Sequence, residues 1–155
     1  MFPATMRRVE QNTAAAVNRR MRMQIERSLR HHAAHPEDID HRLAELDREW
    51  DIERTLETNA ATLALVGTLL GAFYDRRFLA LPALVSAFLL QHALQGWCPP
   101  VPFFRRRGVR TASEIDRERY ALKLLRGDFD EFVRPENRPA SVAERADAAL
   151  QAACA

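Results

Sequence analysis

Seventeen consecutive positions from Thr58 to Tyr74 carry no charged side chain, and twenty more from Phe78 to Trp97 repeat the pattern, with Asp75-Arg76-Arg77 between them. As helices the two blocks reach roughly 25 and 30 Å at about 1.5 Å per residue, enough to cross a hydrocarbon layer. One helix through both would hold three charges at mid-membrane at about 2.5–3.5 kcal/mol each, against about half a kcal/mol recovered per leucine. The pattern therefore predicts a hairpin of two spans, 58–74 and 78–97.

The flanks read differently. From Ala4 to His31, Met6, Val9, Thr13, Val17, Met21, Ile25 and Leu29 recur at three- and four-residue spacing, one drifting stripe on a helix otherwise rich in arginine. His35-Pro36 ends it, because proline disfavours helix in the residue before it and suits the first turn of the next. A second helix is expected over PEDIDHRLAELDREWDIERTLE, with Glu37, Asp38 and Asp40 complementing its dipole and Ile39, Leu43, Leu46 and Trp50 on one face. After the second span, Thr111 and Glu114 have capping-box spacing and Gly127 closes a helix carrying Ile115, Leu122, Leu125 and Phe129 on one side. Ser141 and Glu144 repeat the capping spacing before an alanine-rich terminal helix in a mobile tail. The expectation is an all-α protein: a two-helix transmembrane hairpin flanked by cytoplasmic amphipathic helices. Its blocks are 1–57, 58–97, 98–129 and 130–155.

Charge assigns an orientation. Ten arginines precede the first block and eleven Lys or Arg follow the second, against two in the tight loop. Both termini are thus expected in the cytoplasm, with the chain multi-pass in a bacterial inner (plasma) membrane. Length alone does not exclude a soluble bundle with a buried central helix pair, because the first block is short, and the arginine asymmetry weighs against it. Among the 23 basic residues only Lys123 is lysine, a bias that suits a GC-rich bacterial genome. The net charge of +2 argues against nucleic-acid binding by bulk electrostatics. The N-terminal stretch lacks the apolar core of a secretory signal, so insertion is expected to be internal.

Few residues invite chemistry. Gly67 and Gly71 form a GxxxG on the first span, the spacing that lets two helix backbones approach, either within the hairpin or between copies. His92 is a polar group inside the second run, to be satisfied by an interhelical hydrogen bond or by reach to the headgroups. His31, His32 and His35 form HHxxH without the glutamate of a hydrolytic zinc helix. Cys98 and Cys154 are far apart and make neither a disulfide framework nor a zinc spacing. Cys98 nevertheless stands among arginines that favour a thiolate, in LQGWCPPVPFFRRRGVRT. That stretch also reads as an exit from the membrane: Trp97 anchors, Pro99, Pro100 and Pro102 stop the helix, and Arg105, Arg106 and Arg107 meet anionic headgroups. No catalytic set, metal site or cofactor motif emerges. The leading expectation is a non-enzymatic scaffold or accessory subunit that works in the lipid bilayer and associates as a homo-oligomer or with a helix-pairing membrane partner. The alternative is a membrane-embedded thiol or ligand-binding module for a metal, haem or persulfide, centred on Cys98 with His92.

DREWDIERTLE before the first span, LLQHALQGWCPP at the end of the second and GVRTASEIDRERYALKLLRGDF after it resemble the YgaP-like inner-membrane domain family, over roughly residues 36 to 129. The family's short Gly-x-Cys-Pro signature matches Gly96-Trp97-Cys98-Pro99. The resemblance implies a membrane hairpin and its association into dimers, and no assigned reaction. The founding type carries a rhodanese domain that this chain lacks, so sulfur transfer does not carry over.

Overall fold

The computed structural model describes residues 5–129, which are all-helical. A 3₁₀ turn leads into α1 (Arg8–Gln11), followed by α2 (Ala15–Ala34), α3 (Ile39–Arg48), α4 (Ile52–Phe73), α5 (Ala80–Gln95), α6 (Val101–Arg107) and α7 (Ala112–Arg126). The expected terminal helix beyond Ser141 and the tail around it lie outside the described residues.

Three departures from the sequence expectation have local causes. The N-terminal stripe is not one helix: it breaks between Gln11 and Ala15, where the Thr13 hydroxyl donates to the Val9 carbonyl and the Asn18 amide to that of Glu10. Met6, expected on its buried face, is 70% exposed, whereas Val9, Met21 and Ile25 are buried. The helix expected from Pro36 also ends early, at Arg48. Glu49 is drawn to the Arg110 guanidinium, and the Ile52 amide donates to the Arg110 carbonyl at 2.8 Å instead of to a helical acceptor. Asp51 then caps a new helix by accepting from the Arg54 amide at 2.8 Å. Trp50 leaves the expected apolar face and lies exposed under the Arg54 guanidinium, 4.3 Å from its ring centre.

The third departure concerns the prolines after the second span. They initiate a helix instead of forbidding one: Pro100 stands at the N-cap of α6 and Pro102 in its first turn, where an absent amide costs nothing. Helix α7 starts as its spacing foretold. Thr111 Oγ1 accepts from the Glu114 amide at 3.2 Å, and Glu114 Oε2 from the Thr111 amide at 2.9 Å.

The described chain forms two compact units. The first comprises residues up to Gln24 and Glu49–Ile115. In it α4 and α5 run antiparallel from the turn at Asp75, whose carboxylate accepts from the Arg77 amide. These two helices are long and apolar enough to cross a membrane. Only 17% and 6% of their apolar windows are buried, so they do not form the enclosed pair of a soluble core. Gly67 and Gly71 serve the hairpin itself. A Cβ on Gly67 would stand 2.7 Å from Pro82 Cδ, and one on Gly71 2.5 Å from Leu79 Cδ2. At the open end a small core of Val9, Ile52, Leu56, Cys98 and Val101 is flanked by Phe104 and Val109.

The second unit comprises Ile25–Arg48 and the chain from Asp116. Ile25, Ile39, Leu43, Leu46 and Leu122 are buried there, while Leu125, expected on the same face, is 47% exposed. Glu118 is fully buried and accepts from Arg42 Nε at 2.9 Å, Arg42 Nη2 at 3.2 Å and the Ser28 hydroxyl at 2.5 Å. The forked geometry compensates a carboxylate removed from water.

Two glycines separate backbone strain from packing. Gly96 caps α5 at φ +75°, and a Cβ there would lie 2.5 Å from the Arg8 carbonyl carbon; Gly108 caps α6 at φ +100° with nothing within 4 Å. Gly96→Ala is therefore expected to lose more stability than Gly108→Ala, whose cost is the backbone penalty alone, about 1–2 kcal/mol. Thermal melts of the two variants in detergent micelles check this, and equal losses would show that α1 does not pack on the end of α5.

Candidate functional site

The open end of the hairpin collects the polar groups of the first unit. His92, three residues before the end of α5, is 4% exposed. Its Nε2 lies 2.7 Å from Glu53 Oε2, and Arg8 Nη2 donates to Glu53 Oε1 at 2.9 Å. Each member arrives by a local device. Glu53 stands in the first turn of α4, where Asp51 sets the cap. Arg8 is held by Asn12, whose amide donates at 2.8 Å both to the Arg8 carbonyl and to the Gln95 carbonyl at the end of α5. Gly96 has no side chain to keep the Arg8 backbone away.

This geometry assigns the imidazole proton. A carboxylate only accepts, so Nε2 carries a hydrogen toward Glu53 Oε2. Nδ1 is buried and makes no hydrogen bond, as is Arg8 Nε. Cys98, 3% exposed and the free cysteine among the described residues, stands beside the His92 ring. Thiol, imidazole and carboxylate thus follow one another. The sequence brought Cys98 and His92 forward, with an interhelical hydrogen bond or the headgroups to satisfy the histidine of the apolar runs. Glu53 and Arg8 lie outside them, and the histidine's own need for a buried acceptor was the available signal.

Cys98 also forms part of the wall of an apolar groove of about 380 Å³ between α4 and α5. Leu56, Leu63, Leu84, Phe88 and Phe104 line it, and Asn59 is the one amide side chain on its walls.

The expected headgroup contacts divide. Trp97, Arg106 and Arg107 are exposed, and Arg107 stacks on Phe103 at 4.3 Å. Arg105 is fully buried and faces no headgroup. Because 101–107 is helical, Arg105 turns inward: its Nη1 and Nη2 donate to Glu114 at 2.6 and 2.8 Å, and further bonds reach Val109 O, Asn18 Oδ1 and Thr13 Oγ1. Burial pushes the Glu114 carboxyl up, but the Arg105 fork and the Thr111 amide outweigh it and hold the group below the ordinary carboxylate range.

In the second unit His31 and His35 stack at 4.6 Å between ring centres, and the buried His32 meets the His31 ring edge-on at 5.1 Å, its Nδ1 2.7 Å from the Ser28 carbonyl. Among the described residues no group of three or more His, Cys, Asp or Glu is arranged to hold a metal ion. No family model, curated protein or solved structure matches this chain.

Because the Glu114 pKa is depressed in the fold, its ion pair contributes fully above the unfolded value of about 4.3, and the contribution is lost as pH falls through the lower folded value. Glu114→Gln leaves the Arg105 charge buried and uncompensated, an expected loss of about 3–5 kcal/mol at neutral pH. The variant also loses this share of the acid sensitivity. Melting temperatures from pH 7 to 3 in detergent test both, and wild-type and variant curves that stay parallel below about pH 4.3 would refute the linkage.

Proposed function

We propose that this chain is a bacterial inner-membrane protein of the YgaP-like type, a two-span hairpin with both termini and its flanking amphipathic helices in the cytoplasm, acting as a scaffold or accessory subunit. The observation that carries the reading is the outward apolar surface of α4 and α5: Leu65, Leu84, Leu90 and Phe73 are 61%, 54%, 62% and 86% exposed. Water does not tolerate a contiguous patch of that size on a lone soluble domain, whereas lipid does. Aromatic residues at both ends support it, with Phe73 and Tyr74 at the turn and Trp50, Trp97 and Phe103 at the open end, all exposed. The Arg8–Glu53–His92 and Arg105–Glu114 groups gather at that open end, where the arginine-rich flanks are expected to lie.

Association would use the outward faces of the spans, because Leu79, Leu81 and Pro82 of the same chain already occupy the glycine notch. A second reading, a thiol module centred on Cys98, draws support from the buried His92 ring beside the buried thiol.

Single cysteines placed at Arg76 and at Arg48 in a Cys98→Ala, Cys154→Ser background test the topology in intact and permeabilised spheroplasts. The expected result is labelling of position 76 from outside and of position 48 only after permeabilisation, with the protein resisting carbonate extraction. Recovery in the soluble fraction, or labelling of both positions from one side of a sealed membrane, would overturn the hairpin.

A further inference from the structure

We propose that the outward face of α2, together with the exposed side of α6, is a docking surface for the anionic headgroups of phospholipids. The inference rests on the hairpin reading and adds a lipid class to it. Both pieces lie in the first unit, which takes in residues 15–24 of α2. Met21 is fully buried, and at about 100° per residue Arg19 and Met23 stand roughly 160° to either side of it, on the opposite face of the helix. Both are exposed, Met23 by 46%. On α6 the inward turn of Arg105 leaves Phe103, Arg106 and Arg107 outside. Arg20 joins the two faces, because its Nη2 donates to the Arg106 carbonyl at the end of α6.

Charge and place choose the occupant. Arg19, Arg20, Arg106 and Arg107 have no carboxylate partner among the described residues: Arg20 reaches main-chain carbonyls and Arg107 the ring of Phe103. The buried Arg105 and Arg110 of the same unit each hold a carboxylate. Four guanidiniums are thus open to anions from outside, and their planar forks suit phosphate oxygens. The apolar surface of the hairpin begins beside them. Phe104 and Pro100 of α6 line the groove between α4 and α5, so a path round this short helix leads from an apolar wall to Phe103 and Arg107 and then to Arg106. Asn12, bonded to the Gln95 carbonyl, holds the chain to the end of α5 three residues before α2 starts. Met23 and Phe103 among these arginines match the boundary between acyl chains and headgroups, where an apolar group enters and the charge stays at the phosphate. Because the attraction is electrostatic, it selects anionic over zwitterionic lipid and weakens with salt.

The test uses the full chain carrying Cys98→Ala, Cys154→Ser and Met23→Cys, spin-labelled at position 23, in nanodiscs of phosphatidylcholine alone or mixed with phosphatidylglycerol. Accessibility to a water-soluble nickel chelate and to oxygen is the readout. In the anionic discs at low salt the label is expected to be shielded from nickel and open to oxygen, and to return to water at high salt or in phosphatidylcholine alone. Arg19→Gln combined with Arg106→Gln should lower the docked-to-free ratio roughly 25-fold, at about fivefold per arginine near an anionic surface. Equal accessibility in the two lipids overturns the proposal, and so does a double variant that docks like its parent. Shielding in both lipids and at both salts also overturns it, and points to a second copy or another protein on this face. These outcomes leave the hairpin standing, because the chain is in the disc. A chain that stays in solution outside the disc brings down the hairpin reading and this surface with it.

Discussion

The first unit depends on a guanidinium that has been taken out of water. Arg105 has no exposed surface, and its donors are spent on Glu114, Val109, Asn18 and Thr13, which belong to α7, the α6–α7 connection, α2 and the bend before α2. Burying one charge without a partner costs several kcal/mol, so these four pieces of chain are constrained to meet at one point. The capping box ties the same carboxylate to the start of α7. Glu114 therefore starts a helix and neutralises a buried cation with one side chain.

That constraint reaches the hairpin through α6. Val101 and Phe104, on the helix that carries Arg105, pack with Val9, Ile52, Leu56 and Cys98. Fully burying an aliphatic side chain is worth about 1.5–3 kcal/mol, so four such residues and a cysteine make a modest core. The polar bonds at the open end therefore matter. Arg8 to Glu53, Asn12 to Gln95 and Glu49 to Arg110 each join segments far apart in sequence. Farther along, α4 and α5 approach closely at Gly67 and Gly71, where dispersion contacts join the two helices.

Much of this was legible in the chain. Two uncharged blocks and the DRR interruption marked α4, α5 and their turn, and Thr111 with Glu114 marked the start of α7. Helix interiors failed where tertiary demands overrode periodicity. Nothing in DREWDIE announces that Glu49 and the Ile52 amide are claimed by Arg110, and that claim breaks the helix. Arg105 was misread because three adjacent arginines look alike in sequence, and only the helical phase of α6 turns one inward. The candidate site was half visible. Positions equidistant from Asp75 face each other, as Gly71 and Leu79 do, so residues near 53 to 57 lie opposite the end of α5. Searching those positions for an acid would have found Glu53, but the search stopped at the edge of the apolar run.

The cluster at the open end also explains why a histidine is tolerated near the end of the apolar helix α5. With Nε2 bound to Glu53, half of the ring is satisfied, and Arg8 shares the carboxylate's charge. The other nitrogen is buried and makes no hydrogen bond, and a buried polar group without a partner costs about 1–3 kcal/mol. The same ring stands beside Cys98, which forms part of the wall of an apolar groove, so the polar cluster that anchors the end of α5 and the free cysteine of the described residues share one place in the fold.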